Sequence, residues 1–266
     1  QPRRAGGGVS VDSAPRPAPT SAAHHTPATP AVPVLVRRLT AEFVGTAFLV
    51  GAVIGSGIMA QRLTDDVGLQ LLQNAAATVG ILVALILALG PASGAHFNPC
   101  VTIADRVFGG ISTRTAIGYV AVQIAGGITG AMAANLMFGL EAVNWSSKVR
   151  TGGGQWLGEG IAVLGLLLVI FGVVRSGRAS VAAFAVAGYI GGAYYFTSST
   201  SFANPAVTIA REFSDTFAGI APSSVPGFIV AQLVGTLVAI GLILVIYPNI
   251  GEVAERVVLP HSADDQ

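Results

Sequence analysis

The fold is decided by the stretch AHFNPCVTIA, Ala95–Ala104, and by its near-copy SFANPAVTIA, Ser201–Ala210. Their shared segments, NPCVTIA and NPAVTIA, match at six of seven positions. In both, Asn is a favourable helix N-cap and Pro suits the first helical position. About two helical turns then follow before charged residues, Asp105 in the first copy and Arg211 in the second. A helix this short cannot cross a bilayer, but it can reach about halfway.

The composition is that of a membrane protein. Of 266 residues, 52% are hydrophobic and only 10% are charged, whereas soluble domains carry about 25% charged residues. The mean hydropathy is +0.70. The net charge of +1 gives no basis for nucleic-acid binding. Because Cys100 is the only cysteine, an internal disulfide and a multi-cysteine metal site are excluded, and the four histidines form no metal-ligand constellation, so we expect no metal.

Six apolar segments are predicted to span the bilayer, which requires about 20 residues each. They are Leu39–Ile58, Leu69–Leu89, Ala116–Leu140, Trp156–Val174, Val181–Tyr195 and Val225–Tyr247. Lys and Arg near the spans number seven on the side of both termini and four on the other side. The richer side is predicted to be cytoplasmic, so we expect a multi-pass protein of the inner (plasma) membrane with both termini in the cytoplasm. Residues 1–36, rich in Pro, Ala, Ser and Thr, are predicted to be a disordered tail, residues 37–250 the membrane domain, and residues 251–266 a cytoplasmic tail.

The two halves of the chain repeat one another around Gly152. Each half has three spans, an odd number, so the second half is predicted to enter the membrane upside down, with a shared site near the midplane. The first span of each half carries a carboxylate, Glu42 or Glu159, and the third carries Gln123 or Gln232. Such carboxylates could relay protons, or could accept hydrogen bonds from unpaired backbone N–H groups of a loop. Their symmetric placement favours the second interpretation for the carboxylates, and the glutamines are interpreted in the same way.

The residues before each Asn-Pro pair, 91–97 and 197–203, are small and polar. Extended backbone is tolerated at membrane depth only where it is buried or lines water. Each stretch is therefore predicted to form a re-entrant loop followed by a half-helix, with the two half-helix N-termini meeting at the centre. Asn98 and Asn204 would then point amide donors into a lumen, and the pathway would suit neutral hydroxyl-bearing solutes better than cations. The loop residues predicted to line it are Gly94, Ala95, His96, Thr200 and Phe202.

The paired boxes, the stretch SGAHFNPCVT at Ser93–Thr102, the Glu and Gln pairs and the inverted halves resemble the aquaporin family of water and small-solute channels. The likeness covers about residues 37–248. It implies an all-α membrane protein with six transmembrane helices and two re-entrant half-helices. It also implies a passive channel, not an enzyme, that forms a homotetramer in the bilayer with one pore per protomer and no cofactor. By this resemblance the pore motifs are Asn98, Pro99 and Cys100, and Asn204, Pro205 and Ala206.

Most of this family has an Arg directly after the second Asn-Pro-Ala, where this chain has Val207. Carried over by the resemblance, the outer filter would comprise Thr78, Gly192 (or Gly191), Ser201 and Val207. This set predicts a wide filter that lacks Arg and admits solutes bulkier than water. Arg211, one helical turn later, could reach back towards the filter, or could lie at the outer surface and pair with Glu212 or Asp215; the surface position is favoured.

The longer stretch Ser198–Pro222 also resembles a bacterial subgroup associated with arsenic resistance. Arsenite is mainly an uncharged trihydroxide at neutral pH, so we expect a channel for glycerol-like polyols, arsenite-type hydroxides and water. A water-selective channel, a secondary transporter and a non-conducting membrane organiser are the alternatives. Two further residues have two interpretations each. Cys100 is a thiol site for arsenicals or a buried filler, and His96 is a titratable gate or a packing residue; the second is favoured in both cases.

Overall fold

The computed structural model describes residues 32–247. Within that range eight α-helices follow one another without a strand. Their bounds are α1 Val34–Leu63, α2 Val67–Ser93, α3 Pro99–Phe108, α4 Thr113–Met137, α5 Gly153–Arg175, α6 Ala182–Phe196, α7 Pro205–Ala210 and α8 Val225–Ile246. Short 3-10 turns at Ala179–Val181, Arg211–Phe213 and Pro222–Ser224 precede α6, follow α7 and precede α8.

Six of these helices are long and apolar enough to cross a membrane, and they contain the six predicted spans almost completely. The largest difference is at α1, which begins five residues before and ends five residues after the prediction, Leu39–Ile58. A helix continues past the apolar segment because its backbone hydrogen bonds do not depend on apolar side chains. Residues 34–36, assigned to the tail from composition, are therefore helical, whereas most of that tail and the predicted tail at 251–266 lie outside the described residues.

The fourth helix, α4, is displaced by three residues at each end from the predicted span Ala116–Leu140. It begins at Thr113 because the hydroxyl oxygen of Ser112 accepts the N–H of Thr115 at 3.2 Å, which is an N-cap. It ends before Gly139, whose φ of 76° is left-handed. Polar capping, which hydropathy does not register, therefore sets both ends.

The two short helices α3 and α7 are the predicted half-helices, each with Pro at its first position and Asn as its N-cap. The side-chain oxygen Oδ1 of Asn98 accepts the N–H of Cys100 at 2.9 Å, and Oδ1 of Asn204 accepts the N–H of Ala206 at 3.0 Å. The two differ in length, since α3 runs for ten residues and α7 for six. The expectation that both end at their first charged residue is correct for α7 only, because α3 continues to the left-handed Gly109.

The helices pack as two similar halves, α1 against α2 and α4, and α5 against α6 and α8. The contacts of α1 with α4 and of α5 with α8, which correspond in the two halves, are built on glycines. A Cβ on Gly126 or Gly130 would overlap a backbone carbonyl oxygen of α1, and one on Gly235 would overlap that of Gly160. Close crossings of this kind hold membrane helices together. Gly188 and Gly192 are different, because a Cβ there would meet nothing within 4 Å.

We expect Gly130→Ala to lower the thermal stability of the protein, although Ala is the better helix former by about 1 kcal/mol. The added Cβ would overlap the carbonyl oxygen of Ala47 on α1, and overpacking of this kind costs about 1–3 kcal/mol. Gly188→Ala is the matched control, since it makes the same change in a helix with open space around it. The measurement is the unfolding temperature in detergent. Equal temperatures for the two variants would contradict the predicted role of the α1–α4 contact.

Candidate conduction pathway

The two re-entrant loops are joined at their tips by reciprocal hydrogen bonds. The side-chain amide of Asn98 donates to the carbonyl oxygen of Ala203 at 2.8 Å, and that of Asn204 donates to the carbonyl oxygen of Phe97 at 2.7 Å. Each amide has two N–H groups, and only one is used in this way. Both Asn side chains are buried and line the same cavity, so α3 and α7 begin at a common point.

Glu42 holds the first loop from the fully buried face of α1. One carboxylate oxygen accepts the N–H of His96 at 2.9 Å and the hydroxyl of Ser93 at 2.6 Å. The other accepts the N–H of Phe97 at 2.7 Å and the side-chain amide of Gln123 at 2.8 Å. All these donors would otherwise be unpaired inside the protein, which costs about 1–3 kcal/mol each.

Glu159 makes the corresponding bonds to the second loop. Its oxygens accept the N–H groups of Phe202 and Ala203 at 2.8 and 2.9 Å and the amide of Gln232 at 2.6 Å. The glutamines also match, because Gln123 donates to Thr102 at 3.0 Å and Gln232 donates to Thr208 at 2.8 Å. The sequence repeat is therefore also a repeat of hydrogen bonds.

The loops depart from ordinary backbone geometry. Five non-glycine residues have φ between 48° and 62°: Ala95, Phe97, Thr200, Ser201 and Ala203. This left-handed conformation is uncommon for residues with a side chain and persists only where the surroundings enforce it. The carboxylate acceptors of Glu42 and Glu159 supply that enforcement, since they bond neighbouring N–H groups in each loop.

One cavity of about 70 Å³ runs along the loops and past both Asn side chains. A buried water needs about 10–15 Å³ by this measure, so the cavity has room for several water-sized molecules. Its apolar wall comes from α1, α2, α5 and α6, and its polar side comes mainly from the loops. The apolar wall comprises Leu49, Val53, Leu82, Ile86, Leu166, Ile170, Val186 and Ile190; the polar side chains are Thr78, His96, Asn98, Tyr194, Ser201, Asn204 and Arg211.

Of the other residues expected to line the pathway, Ala95 and Phe202 border this cavity, whereas Gly94 and Thr200 do not. Thr78, Ser201 and Val207 from the expected filter also border it. Ser201 Oγ is buried and makes no hydrogen bond with any residue of 32–247, so it is available to a solute.

Gly192 is not part of the cavity wall; it lies on the exposed side of α6. Gly191 does not line the cavity either. The expected position is therefore wrong, and α6 contributes Tyr194 instead, whose hydroxyl lies 2.9 Å from that of Thr78 on α2. The error came from counting back through the loop without a gap. The adjacent tyrosines Tyr194 and Tyr195 were the available sequence signal, and only Tyr194 is buried.

Arg211 is only 3% exposed and borders the same cavity as Val207. Its Nε donates to the carbonyl oxygen of Ala218, and its Cζ lies 3.3 Å from the centre of the Phe202 ring. The favoured expectation of an Arg at the outer surface is therefore wrong. The expected partner of this guanidinium was a surface carboxylate. Its observed partners are a backbone carbonyl oxygen and an aromatic ring.

The carboxylate of Asp215, one of the two partners expected for Arg211, is used elsewhere. It accepts the backbone N–H and the hydroxyl of Ser147, at 2.9 and 3.1 Å. Ser147 belongs to the α4–α5 connection, residues 138–152, which also bonds to the segment after α7 through Ser146 N–H and the carbonyl oxygen of Glu212 at 2.8 Å. This connection therefore covers the Arg211 end of the pathway. Partial burial and the charges of Arg150 and Arg211 lower the pKa of Lys148 in it to about 8, so it is mainly protonated at pH 7.

Two other singled-out side chains are packed against protein groups, although His96 also borders the cavity and its Nε2 makes no hydrogen bond within residues 32–247. His96 Nδ1 lies 3.1 Å from Thr102 Oγ1, its Nε2 lies 3.4 Å from Asp105, and its ring meets Tyr119 edge-on at 5.3 Å. Cys100 is fully buried, with Sγ 3.9 Å from the carbonyl oxygen of Gln232, and it does not border the cavity. These contacts favour packing roles for both. Within residues 32–247 no cluster of His, Cys, Asp or Glu has the composition of a metal site.

A family model described as "Major intrinsic protein" matches residues 31–195. The chain is also 50% identical over 208 residues to the "Aquaglyceroporin AqpS" of Rhizobium meliloti (strain 1021), which covers 78% of this chain and 89% of that relative.

The chain belongs to the major intrinsic protein family.

This major intrinsic protein also resembles plant relatives over shorter regions. It is 32% identical over 151 residues to a "Probable aquaporin NIP-type" of Nicotiana alata, and the match covers 56% of this chain and 54% of that one. The X-ray structure of the aquaglyceroporin from Plasmodium falciparum aligns with a TM-score of 0.63 at 21% identity, over 81% of this chain and 98% of that chain. The structural likeness confirms the predicted aquaporin-like fold. Because the family consists of passive membrane channels, this major intrinsic protein is a multi-pass channel for small neutral solutes and not an enzyme.

Proposed function

We propose that the protein conducts water and small hydroxylated solutes, namely glycerol-like polyols and arsenite-type trihydroxides. The observation that carries this proposal is the two-sided cavity, which has aliphatic side chains on one side and loop groups, Asn98 and Asn204 on the other. A polyol presents the same division, with a carbon chain on one side and hydroxyls on the other. A solute that leaves water loses free energy unless its polar groups find new hydrogen-bond partners. The loops supply such partners along the route.

The outer constriction suits solutes larger than water. Val207 is a small apolar residue at the position where most of the family has Arg, and it borders the cavity beside Ser201. The Thr78 hydroxyl donates to the carbonyl oxygen of Asn74 at 2.9 Å, so the Tyr194 hydroxyl is the donor in its 2.9 Å pair with Thr78. Both oxygens can still accept a hydrogen bond from a passing hydroxyl. A solute with several hydroxyls can therefore exchange its water partners for these groups.

Arsenite shares the required chemistry because it is neutral at pH 7 and displays three hydroxyls, as glycerol does. The name of the relative from Rhizobium meliloti supports the polyol class. The resemblance of Ser198–Pro222 to the subgroup associated with arsenic resistance supports the metalloid. The packing of Cys100 away from the cavity is consistent with passage without capture, since the thiol does not border the route.

The assembly and the placement are proposed on the same basis. The protein acts as a homotetramer with one pathway per protomer, as the family implies, in the plasma (inner) membrane with both termini in the cytoplasm. The excess of Arg beside the terminal side of the spans supports this orientation. The Arg211 end of the pathway is then the outer end. The carboxylates Glu42 and Glu159 serve as loop acceptors, as their hydrogen bonds indicate.

The test is stopped-flow light scattering on proteoliposomes exposed to gradients of water, glycerol, urea and arsenite. We expect each neutral solute to enter faster than into protein-free vesicles, at a rate proportional to its gradient and indifferent to a proton gradient. Saturating or proton-driven flux would identify a secondary transporter. Water flux without solute flux would identify a water-selective channel. The absence of all flux would identify a non-conducting membrane protein.

A further inference from the structure

We propose that Arg211 is the residue that excludes cations from this pathway, in place of the uncharged Val207. The inference rests on the proposed function, because it assigns specificity to the same outer constriction. It replaces the expectation that the outer filter contains no Arg.

Arg211 is placed to act at the same constriction as Val207. It follows Val207 by four residues, one helical turn, and helical side chains lean towards the N-terminus of their helix. Both residues border the cavity. The guanidinium of Arg211 therefore reaches the constriction from one helical turn beyond Val207. The small side chain of Val207 leaves space directly after the second Asn-Pro-Ala.

The guanidinium of Arg211 is only partly used in hydrogen bonds to the protein. Nε is used by the carbonyl oxygen of Ala218, but the two terminal amino groups have no hydrogen-bond partner among residues 32–247. Arg211 also forms no ion pair with a carboxylate in that range. A buried guanidinium that forms no ion pair repels cations and offers donors to neutral oxygen-bearing solutes.

The surroundings hold the guanidinium in place, which a filter requires. Phe202, on whose ring it stacks, packs edge-on against Phe228 at 5.1 Å. Arg150, from the α4–α5 connection, lies 5.1 Å from the same ring and donates to the carbonyl oxygen of Gly219 at 2.9 Å. Gly219 is the neighbour of Ala218, so Arg150 is a positioning residue that fixes the segment to which Arg211 bonds.

The experiment compares urea with guanidinium, which have nearly the same planar shape but differ by one charge. Uptake of each labelled solute is measured in proteoliposomes at pH 7 for the wild type, Arg211→Gln and Arg211→Lys. We expect the wild type and Arg211→Lys to admit urea and exclude guanidinium. We expect Arg211→Gln to admit guanidinium about tenfold faster than the wild type, because the positive barrier is gone, with urea uptake changed far less. Arg62→Gln is the control, since it removes a charge from the same end of the protein at an exposed site bonded to Phe138.

A second variant covers the case in which Arg211→Gln perturbs the loop. The double variant Val207→Arg, Arg211→Gln returns a guanidinium to the constriction, and we expect it to exclude guanidinium again. The inference is overturned if Arg211→Gln admits urea but not guanidinium, if Arg211→Lys leaks as much as Arg211→Gln, or if the double variant still leaks. A wild type that admits no neutral solute would instead contradict the proposed function, and guanidinium uptake by the variants would still report on Arg211.

Discussion

Glu159→Ala is expected to prevent most of the protein from reaching its folded state. The substitution removes the acceptor of three buried N–H groups, those of Phe202 and Ala203 and one of the two on the Gln232 amide, whose nitrogen also donates to Thr208. Each donor left unpaired costs about 1–3 kcal/mol, so the total is about 3–9 kcal/mol, against a typical folding stability of about 5–15 kcal/mol. The loop also holds Ala203 in the left-handed region, and Ala203 loses the bond from its N–H that enforces this conformation. The measurement is the yield of monodisperse protein in detergent and its unfolding temperature.

The control is Glu141→Ala, which removes a carboxylate at an exposed position and should leave yield and unfolding temperature unchanged. Glu159→Gln keeps the shape but turns one acceptor into a donor, so its yield should lie between those of the wild type and Glu159→Ala. The fraction of the Glu159→Gln variant that folds should conduct glycerol at the wild-type rate per channel. Normal yield combined with complete loss of flux would mean that the carboxylate takes part in transport, as in a proton relay, and would contradict its role as a loop acceptor.

Val207→Arg is expected to reduce glycerol and arsenite flux by about tenfold, with a smaller reduction for water. Val207 is 5% exposed and borders a cavity of about 70 Å³. A long, positively charged side chain there would occupy space that a polyol needs and that a single file of water does not. It would also stand beside Arg211, and two neighbouring guanidiniums repel each other. A tenfold change corresponds to about 1.4 kcal/mol in the barrier, well within what narrowing of a constriction can supply.

Val207→Leu separates size from charge, since it adds bulk without a guanidinium. We expect its glycerol flux to lie between those of the wild type and Val207→Arg. The fluxes are measured by stopped-flow shrinkage of the same vesicles with equal amounts of protein. Equal glycerol and arsenite fluxes for the wild type and Val207→Arg would show that position 207 does not limit solute size.

The sequence predicted the architecture because the strongest signals were repeated. Glu42 and Glu159, and the Asn-Pro pairs at 98 and 204, occur at matching places in the two halves, and a repeat in an apolar chain restricts the fold severely. The positions of the spans followed from hydropathy, but their ends did not, because capping groups such as Ser112 set them. Side-chain capping depends on single polar residues, which a sum over apolar residues does not detect.

The outer end of the pathway was the least predictable part. Tyr194 was missed because its position relative to Ser201 depends on where α6 ends and on the left-handed residues of the loop. Arg211 was placed at the surface because its partner, the carbonyl oxygen of Ala218, is a backbone atom and has no signature in the sequence. The fold of the α4–α5 connection over this end depends on contacts across more than sixty residues, such as Ser147 with Asp215. Contacts of that range are not visible in local patterns.

The paired bonds from Asn98 to Ala203 and from Asn204 to Phe97 have a consequence for how the chain is made. Their partners are separated by 105 and 107 residues, and a ribosome takes roughly 5–20 s to add that many. During this time the Asn98 side-chain amide and the Phe97 carbonyl oxygen lack these hydrogen-bond partners. A product truncated before Ala203 can never satisfy them, so we expect cellular quality control to recognise and degrade half-length chains, however apolar their three spans.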